Sequence, residues 1–207
     1  MSSVVSFFSQ GGSWMYAILL VMILVLAIVI ERLIVLNFKN RIDPIAFVNK
    51  ILELLQRGNV ASAIELCSIS QAALPRIARA GLEEYGKGDV QRAMELAAMA
   101  EIPRIEKRTS YLSLLANIAT LLGLLGTIFG LIDSFNAVTN ADASQKAALL
   151  ASGIAVAMNT TAFGLIVAIP TLVFYSMLNE RTTVIMSEIN ENAARIYQRL
   201  AQPRGVK

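Results

Sequence analysis

Long apolar runs alternate with charged segments along the chain, and three of these runs are long enough to cross a lipid bilayer. The first covers residues 14–36 and begins "WMYAILLVMILVLAIVI", the second covers 111–135, and the third covers 147–178. A transmembrane helix needs about 20 predominantly apolar residues. Only "NAVTNADASQK", at 136–146, separates the last two runs. The pattern therefore predicts one separate span followed by a tight helical hairpin.

The segments outside these runs also have helical spacing of their apolar residues. Within 37–110, Asp43 followed by proline is a helix start, and Asp89 begins a later helix. Pro103 fits as a kink, so we expect a stalk continuous with the second span. Residues 179–200 extend the third run with the same spacing. The sequence therefore predicts an all-α membrane protein with three transmembrane helices, a helical cytoplasmic domain and long helices extending from the second and third spans.

The distribution of lysine and arginine predicts the orientation, because cytoplasmic flanks of spans are enriched in both. The N-terminal tail has neither, which also argues against a signal peptide, and the hairpin loop has only Lys146. Basic residues flank the inner end of every predicted span. We therefore expect a periplasmic N-terminus and a cytoplasmic C-terminus. The predicted segments are an outer tail (1–13), a first span (14–36), a cytoplasmic domain (37–110), a hairpin (111–178) with an outer loop (136–146), and a cytoplasmic C-terminal helix and tail (179–207).

Composition narrows the function classes. The 207 residues are 56% hydrophobic and 16% charged, and they include no histidine and one cysteine, Cys67. A single cysteine excludes an internal disulfide, and we expect it to be a small buried apolar residue. No nucleotide-binding loop, metal motif or nucleophile constellation is present. The sequence therefore indicates neither an enzyme nor a cofactor, and its basic residues suit anionic membrane lipids better than nucleic acid.

Small and hydroxylated residues recur at helical spacing in the second and third runs. In the second run they are Thr120, Gly123, Thr127, Gly130 and Ser134, with Gly126 close by; in the third they are Gly153, Ala157, Thr161, Gly164 and Ala168, beside Asn159 and Thr160. Small residues let membrane helices approach closely, which predicts a packing role for the five glycines. The hydroxyls have two open interpretations. In the first, each hydroxyl bonds to the backbone of its own helix. In the second, a polar ion pathway is lined by three threonines and a neighbouring asparagine: Thr127, Thr161, Thr160 and Asn159.

Three further features of the apolar runs carry predictions. Asp133 is the only carboxylate of the second run and lies about 9 Å outward of Thr127 by helix rise. It is either a solvated interfacial residue or an outer ion entry. Pro170 predicts a kink in the third span. Glu31 and Arg32 are expected to form an interfacial end to the first span.

Two motifs and the overall layout resemble a known family. "GLLGTIFGLIDSF" at 123–135, "GIAVAMNTTAFGLIVAIPTLVFY" at 153–175, and a first span ending in "ER" are similar to the ExbB/TolQ/MotA inner-membrane motor proteins. Three spans make the layout closest to ExbB and TolQ. The resemblance implies a homopentamer in the bacterial inner membrane around two copies of an ExbD/TolR/MotB-like single-span protein with an intramembrane aspartate. It also implies coupling of a proton or sodium gradient to work on periplasmic or outer-membrane partners, with Thr127 and Thr161 as paired pore hydroxyls.

One position departs from the family pattern. ExbB and TolQ commonly carry a glutamate in a "GIAEA" context, and this chain has Val156 there, in "GIAVA". The role of that glutamate does not transfer, so the ion and the downstream system (TonB-like, Tol-like, gliding or other) stay open. The alternative function is a non-conducting oligomeric membrane scaffold that uses the small residues only for packing.

Overall fold

The structure, a computed structural model, describes residues 12–36, 43–139 and 141–201. Its helices are α1 (Trp14–Ile34), α2 (Pro44–Gln56), α3 (Val60–Ser68), α4 (Ala73–Glu84), α5 (Val90–Glu106), α6 (Thr109–Thr139) and α7 (Lys146–Ala201). These ranges contain no strand, which confirms the predicted all-α class. Most of the predicted outer tail, the segment 37–42, Asn140 of the hairpin loop and the tail 202–207 lie outside the described residues.

Three helical stretches are long and apolar enough to cross a membrane, and they contain α1, α6 and α7. The 31 residues of α6 extend about 46 Å, and the 56 residues of α7 about 84 Å. A bilayer core is about 30 Å thick, so α7 continues well beyond a single span. The predicted extension of the third span is therefore confirmed.

The chain divides into two compact units. The first, here the membrane unit, takes α1 up to Ile30, all of α6, and α7 up to Met177. The second, here the helical unit, runs from Glu31 to Lys107 and resumes at Leu178. It thus contains the last turn of α1, helices α2 to α5, and the C-terminal part of α7.

Side-chain caps define several helix starts in the helical unit. The Asp43 carboxylate accepts from the backbone N–H groups of Ile45 and Ala46 at the start of α2. Asn59 caps α3 and Asp89 caps α5 in the same way. Such caps satisfy N–H groups that have no partner within the helix. The helix starts predicted at Asp43 and Asp89 are thus confirmed, and Cys67 is buried, as expected.

The expected continuous stalk is divided at the junction of α5 and α6. Pro103 lies inside α5 without ending it, and the break comes later, at Lys107 and Arg108. Arg108 has a φ of 69°, a left-handed conformation that a non-glycine residue adopts at some energetic cost. The boundary between the two units falls between these same two residues. No glycine occupies this position, so the break has no simple compositional signal.

Arg32, predicted at the interfacial end of the first span, is buried against protein. It is only 2% exposed, and its Nη1 donates to the backbone oxygen of Ile105, at 3.2 Å. The acceptor lies in the last turn of α5, where helix carbonyls lack partners within the helix and favour a positive charge. The buried stripe of α1 includes Val21, Val25 and Val29, and Arg32 continues its spacing. Helical periodicity therefore turns this arginine inward.

Candidate ion-pathway residues

The glycines of α6 and α7 bring the two helix backbones into direct contact. A Cβ atom placed on Gly123 would lie 3.2 Å from the Cα atom of Thr161. One placed on Gly164 would lie 2.7 Å from the backbone oxygen of Ala119 and 3.1 Å from the Cα atom of Gly123. These neighbours are backbone atoms that cannot rotate away. Any side chain at Gly123 or Gly164 would therefore push the helices apart.

The same close contact continues towards the loop end of the hairpin. A Cβ atom on Gly130 would lie 3.2 Å from that of Ala157, and one on Gly153 would overlap the Ser134 side chain. Gly126 faces Thr160 of α7 and also Trp14 of α1. The Trp14 ring stacks on Phe129 of α6, with centroids 5.2 Å apart. All five predicted packing glycines thus lie at helix contacts, and Gly126 lies where three helices meet.

Thr161 makes a hydrogen bond from one helix of the hairpin to the other. Its Oγ1 donates to the backbone oxygen of Gly123, at 2.9 Å. This bond needs the close approach that glycine permits, because a side chain at residue 123 would separate the two helices. Position 161 is half-buried. Close helix packing and a hydrogen bond between the two helices therefore occur together at the Gly123–Thr161 contact.

Thr127 and Thr160 bond instead to their own helices. Thr127 Oγ1 donates to the Leu124 oxygen at 2.5 Å, and Thr160 Oγ1 donates to the Val156 oxygen at 2.9 Å. Thr160 is almost fully buried, whereas Thr127 is half-buried. Thr127 lies four residues beyond Gly123, about 6 Å along the helix, so it is one turn nearer the hairpin loop than the acceptor of the Thr161 bond. The two hydroxyls of the predicted pair thus bond to different carbonyls on α6.

The packed face of α6 is rotated from the predicted one. Its buried members in this part of the helix are Ala116, Ala119, Gly123, Gly126 and Ser134. Thr120, which the prediction placed on the same row, is exposed in this chain and donates to the Ala116 oxygen. Both rows alternate three- and four-residue steps and share Gly123, but the buried row continues to Gly126 and the predicted row continues to Thr127.

The remaining predicted site residues lie around this contact. Asn159 is half-buried and makes no hydrogen bond with the described residues, and Asp133 is exposed. Val156 is half-buried, and a Cβ atom placed on Gly12 would lie 3.6 Å from its Cγ1. Pro170 is exposed within an uninterrupted α7. The kink at Pro170 and the ion-entry role of Asp133 stay predictions.

Sequence reasoning missed one buried hydroxyl of the hairpin. Thr171 is 1% exposed and donates to the Val167 oxygen at 2.6 Å. Continuing the buried row of Ala157, Thr160 and Gly164 by alternating three- and four-residue steps would have reached it. The predicted row instead ends before Pro170, although the helix continues through the proline.

The described helices define an all-α, multi-span membrane protein with a backbone-to-backbone hairpin. Among the described residues of the membrane unit, the buried polar side chains are all hydroxyls: Thr109, Ser134, Thr160 and Thr171. Residues 69–191, more than half of the chain, match the model of the MotA/TolQ/ExbB proton channel family. The chain belongs to this family. A family of channels agrees with the interpretation that the chain is not an enzyme.

Curated relatives carry names from the same family. An ExbB homolog from Methanothermobacter thermautotrophicus is 28% identical over 165 residues, which cover 78% of this chain and 58% of the relative. The Tol-Pal system protein TolQ of Haemophilus influenzae is 37% identical over 73 residues, or 35% of this chain and 32% of TolQ. The match thus spans less than two thirds of either relative. A solved structure of MotAB from C. jejuni aligns with 92% of this chain and 82% of its own, at 13% identity and a TM-score of 0.48.

Proposed function

We propose that this chain is the ion-channel and motor subunit of an inner-membrane complex. The complex would couple a proton or sodium gradient to mechanical work on periplasmic or outer-membrane partners. The observation that carries this proposal is the Thr161 hydroxyl, which bonds across the hairpin to Gly123 in a chain from a proton channel family. Because Thr161 donates its hydrogen to Gly123, the lone pairs of its oxygen stay available to accept a hydrogen bond from water or from a protonated carboxylic acid.

The chemistry of the buried groups supports a partner subunit. The buried polar groups in the described part of the membrane unit are hydroxyls, and these do not titrate near neutral pH. A proton pathway needs a group that does. We therefore propose a homopentamer around two copies of an ExbD/TolR/MotB-like single-span protein, whose intramembrane aspartate supplies that group. The N-terminus would be periplasmic and the C-terminus cytoplasmic, as the basic flanks predict.

Within this assembly, the polar residues of the hairpin would form the path past the partner's carboxylate. Thr161 and Thr127 would provide hydroxyl oxygens, with Thr160 and Asn159 at the neighbouring level of α7. Asp133 is exposed and would collect ions at the outer end. The glycines would hold α6 and α7 at the separation that the Thr161 bond requires.

Removal of two hydroxyls tests this proposal. The complex is purified from its host through a tag on this chain and reconstituted into liposomes, and gradient-driven H⁺ or Na⁺ flux is measured. The double variant Thr127→Val and Thr161→Val should lose most of the flux, and Thr161→Ser should retain it. Thr120→Val is the matched control, because Thr120 is an exposed threonine on α6 away from the packed face. Unchanged flux in the double variant would refute the pathway.

The scaffold alternative has its own supporting observation, since Thr127 and Thr160 already bond to their own helix carbonyls. A scaffold predicts that hydroxyl removal changes nothing, whereas Gly164→Leu abolishes assembly as measured by native mass spectrometry. The channel predicts that both changes abolish flux but only the glycine change abolishes assembly. Separate collapse of the sodium and proton gradients then identifies the ion.

A further inference from the structure

The helical unit contains a cavity of about 310 Å³ at the end of α1. Its walls include Val35 and Leu36 after α1, Ala73 and Arg76 at the start of α4, and Glu101 and Arg104 near the end of α5. A volume of this size is within the range of small-molecule sites. One wall is apolar and another carries charged groups, so the cavity suits a ligand with both characters.

The charges in this cavity do not balance. Arg76 Nη1 and Arg104 Nη1 both contact the same oxygen of Glu101, Oε1, at 3.0 and 2.7 Å. One carboxylate therefore faces two guanidinium groups, each of which has five N–H donors. The Glu101 side chain is only 12% exposed, whereas those of Arg76 and Arg104 are 39% and 62% exposed. The positive groups are thus the ones that an entering ligand meets.

Two neighbouring features add to the positive potential. Arg32 is buried and donates to the backbone oxygen of Ile105, a residue that also lines the cavity. Helix α4 begins at Ala73 on the cavity wall, and no side chain caps it. The first N–H groups of a helix carry partial positive charge and favour anions. Both features strengthen an anion site that the two arginines of the cavity define.

The position of the cavity along the chain indicates the kind of anion. Val35 and Leu36 directly follow α1, the first helix long enough to cross a membrane. Basic clusters immediately next to the end of a membrane helix attract anionic lipids, whose headgroups carry phosphate. We propose that this cavity binds a phosphate group, presented by an anionic phospholipid, between Arg76 and Arg104. The proposal does not rest on ion conduction by the chain.

Lipid retention by the purified full-length chain tests the proposal. The chain is offered equal amounts of phosphatidylglycerol and phosphatidylcholine in detergent, and the retained lipids are counted by native mass spectrometry. Phosphatidylglycerol should be enriched. The double variant Arg76→Gln and Arg104→Gln should reduce its retention about 25-fold, because each basic residue near a lipid surface contributes about 1 kcal/mol, or about 5-fold. Arg79→Gln is the matched control, since Arg79 is also on α4 but pairs with Glu83 outside the cavity lining.

Glu101→Gln separates a binding site from a purely structural ion-pair network. Removal of the competing carboxylate should raise phosphatidylglycerol retention if the arginines bind phosphate. A structural network predicts lower or unchanged retention, and that result would overturn the proposal. Equal retention of both lipids, or full retention by the double variant, would also overturn it. The charge-conserving variant Arg76→Lys and Arg104→Lys should keep the enrichment, which shows that a loss in the glutamine variant reflects charge.

A further arm identifies the source of the phosphate. Inorganic phosphate is added to the wild-type chain without phosphatidylglycerol, and the thermal unfolding midpoint is measured. A rise that depends on Arg76 and Arg104, without lipid enrichment, assigns the site to a soluble phosphate compound. Lipid enrichment without this rise assigns it to a headgroup. If neither lipid enrichment nor this rise is observed, the phosphate site is refuted.

Discussion

A single methyl group at Gly164 should loosen the membrane hairpin. In Gly164→Ala the new Cβ atom would lie 2.7 Å from the Ala119 oxygen, whereas C···O contacts between packed helices are about 3.3 Å or longer. The helices must therefore separate by about 0.6 Å. The Thr161 Oγ1 to Gly123 oxygen distance would then grow from 2.9 Å to about 3.5 Å, too long for a good hydrogen bond.

The free-energy terms of this change have opposite signs. Overpacking costs about 1–3 kcal/mol, and loss of a membrane hydrogen bond costs about 0.6 kcal/mol. Replacement of glycine by alanine stabilises the helix by about 1 kcal/mol, because alanine has the higher helix propensity. The expected net loss of hairpin stability is about 1.5 kcal/mol by these figures. Gly130→Ala is the matched control, because its new Cβ meets the Ala157 Cβ atom at 3.2 Å and so requires a smaller shift.

The only tryptophan provides the assay. Trp14 stacks on Phe129, and its Cβ atom lies close to Gly126, so its fluorescence reports the packing of α1 on α6. Each variant is unfolded in mixed micelles with increasing SDS, and fluorescence and far-UV circular dichroism are followed together. Gly164→Ala should unfold at a lower SDS fraction than the wild type and than Gly130→Ala. Equal or greater stability of Gly164→Ala would show that the two backbones are not in contact there.

Three further predictions concern buried polar groups. Burial raises the pKa of the Cys67 thiol to about 12, so the thiol is neutral at pH 8. Maleimide should therefore label it at least 100-fold more slowly than in SDS-unfolded protein, as followed by the mass shift of the labelled chain. Equal labelling rates would contradict the burial. Arg32→Met should leave the Ile105 oxygen without this donor at a cost of about 1–3 kcal/mol, seen as faster hydrogen exchange in the last turn of α5, and unchanged exchange would refute the role. Thr109→Val should stabilise the chain by about 1 kcal/mol in the SDS assay, because the buried Thr109 hydroxyl has no hydrogen-bond partner in the described part of the chain. Destabilisation would contradict this prediction and show that the hydroxyl has a partner.

The sequence predicts the features of the fold that depend on local patterns. The three apolar runs, the caps at Asp43 and Asp89, and the extension of α7 all follow from composition and helical spacing. These signals are local because hydrophobic length and capping chemistry act within a few helical turns. The burial of Cys67 is predictable for the same reason, since this residue lies on the apolar face of a short helix.

Other features depend on which elements meet in space. Arg108 adopts a left-handed conformation although nothing in its local sequence marks a turn. Arg32 is buried because the carbonyl of Ile105, 73 residues away, accepts its hydrogen bond. On α6, the packed face includes Gly126 and leaves Thr120 exposed, a choice made by the contact with α7 and α1. Small-residue spacing predicts a close contact, but several neighbouring rows satisfy that spacing equally well.

The Gly123–Thr161 contact connects packing with the proposed conduction. A carbonyl oxygen can only accept, so the Thr161 hydroxyl must donate its proton to Gly123, and its own lone pairs remain available as acceptors. Such an oxygen can receive a hydrogen bond from water or from a protonated carboxylic acid, and it can also coordinate Na⁺. Valine at this position removes the oxygen, whereas serine keeps it. Glycine at 123 is therefore required for the orientation of the hydroxyl as well as for helix packing, and a larger residue there would disturb both at once.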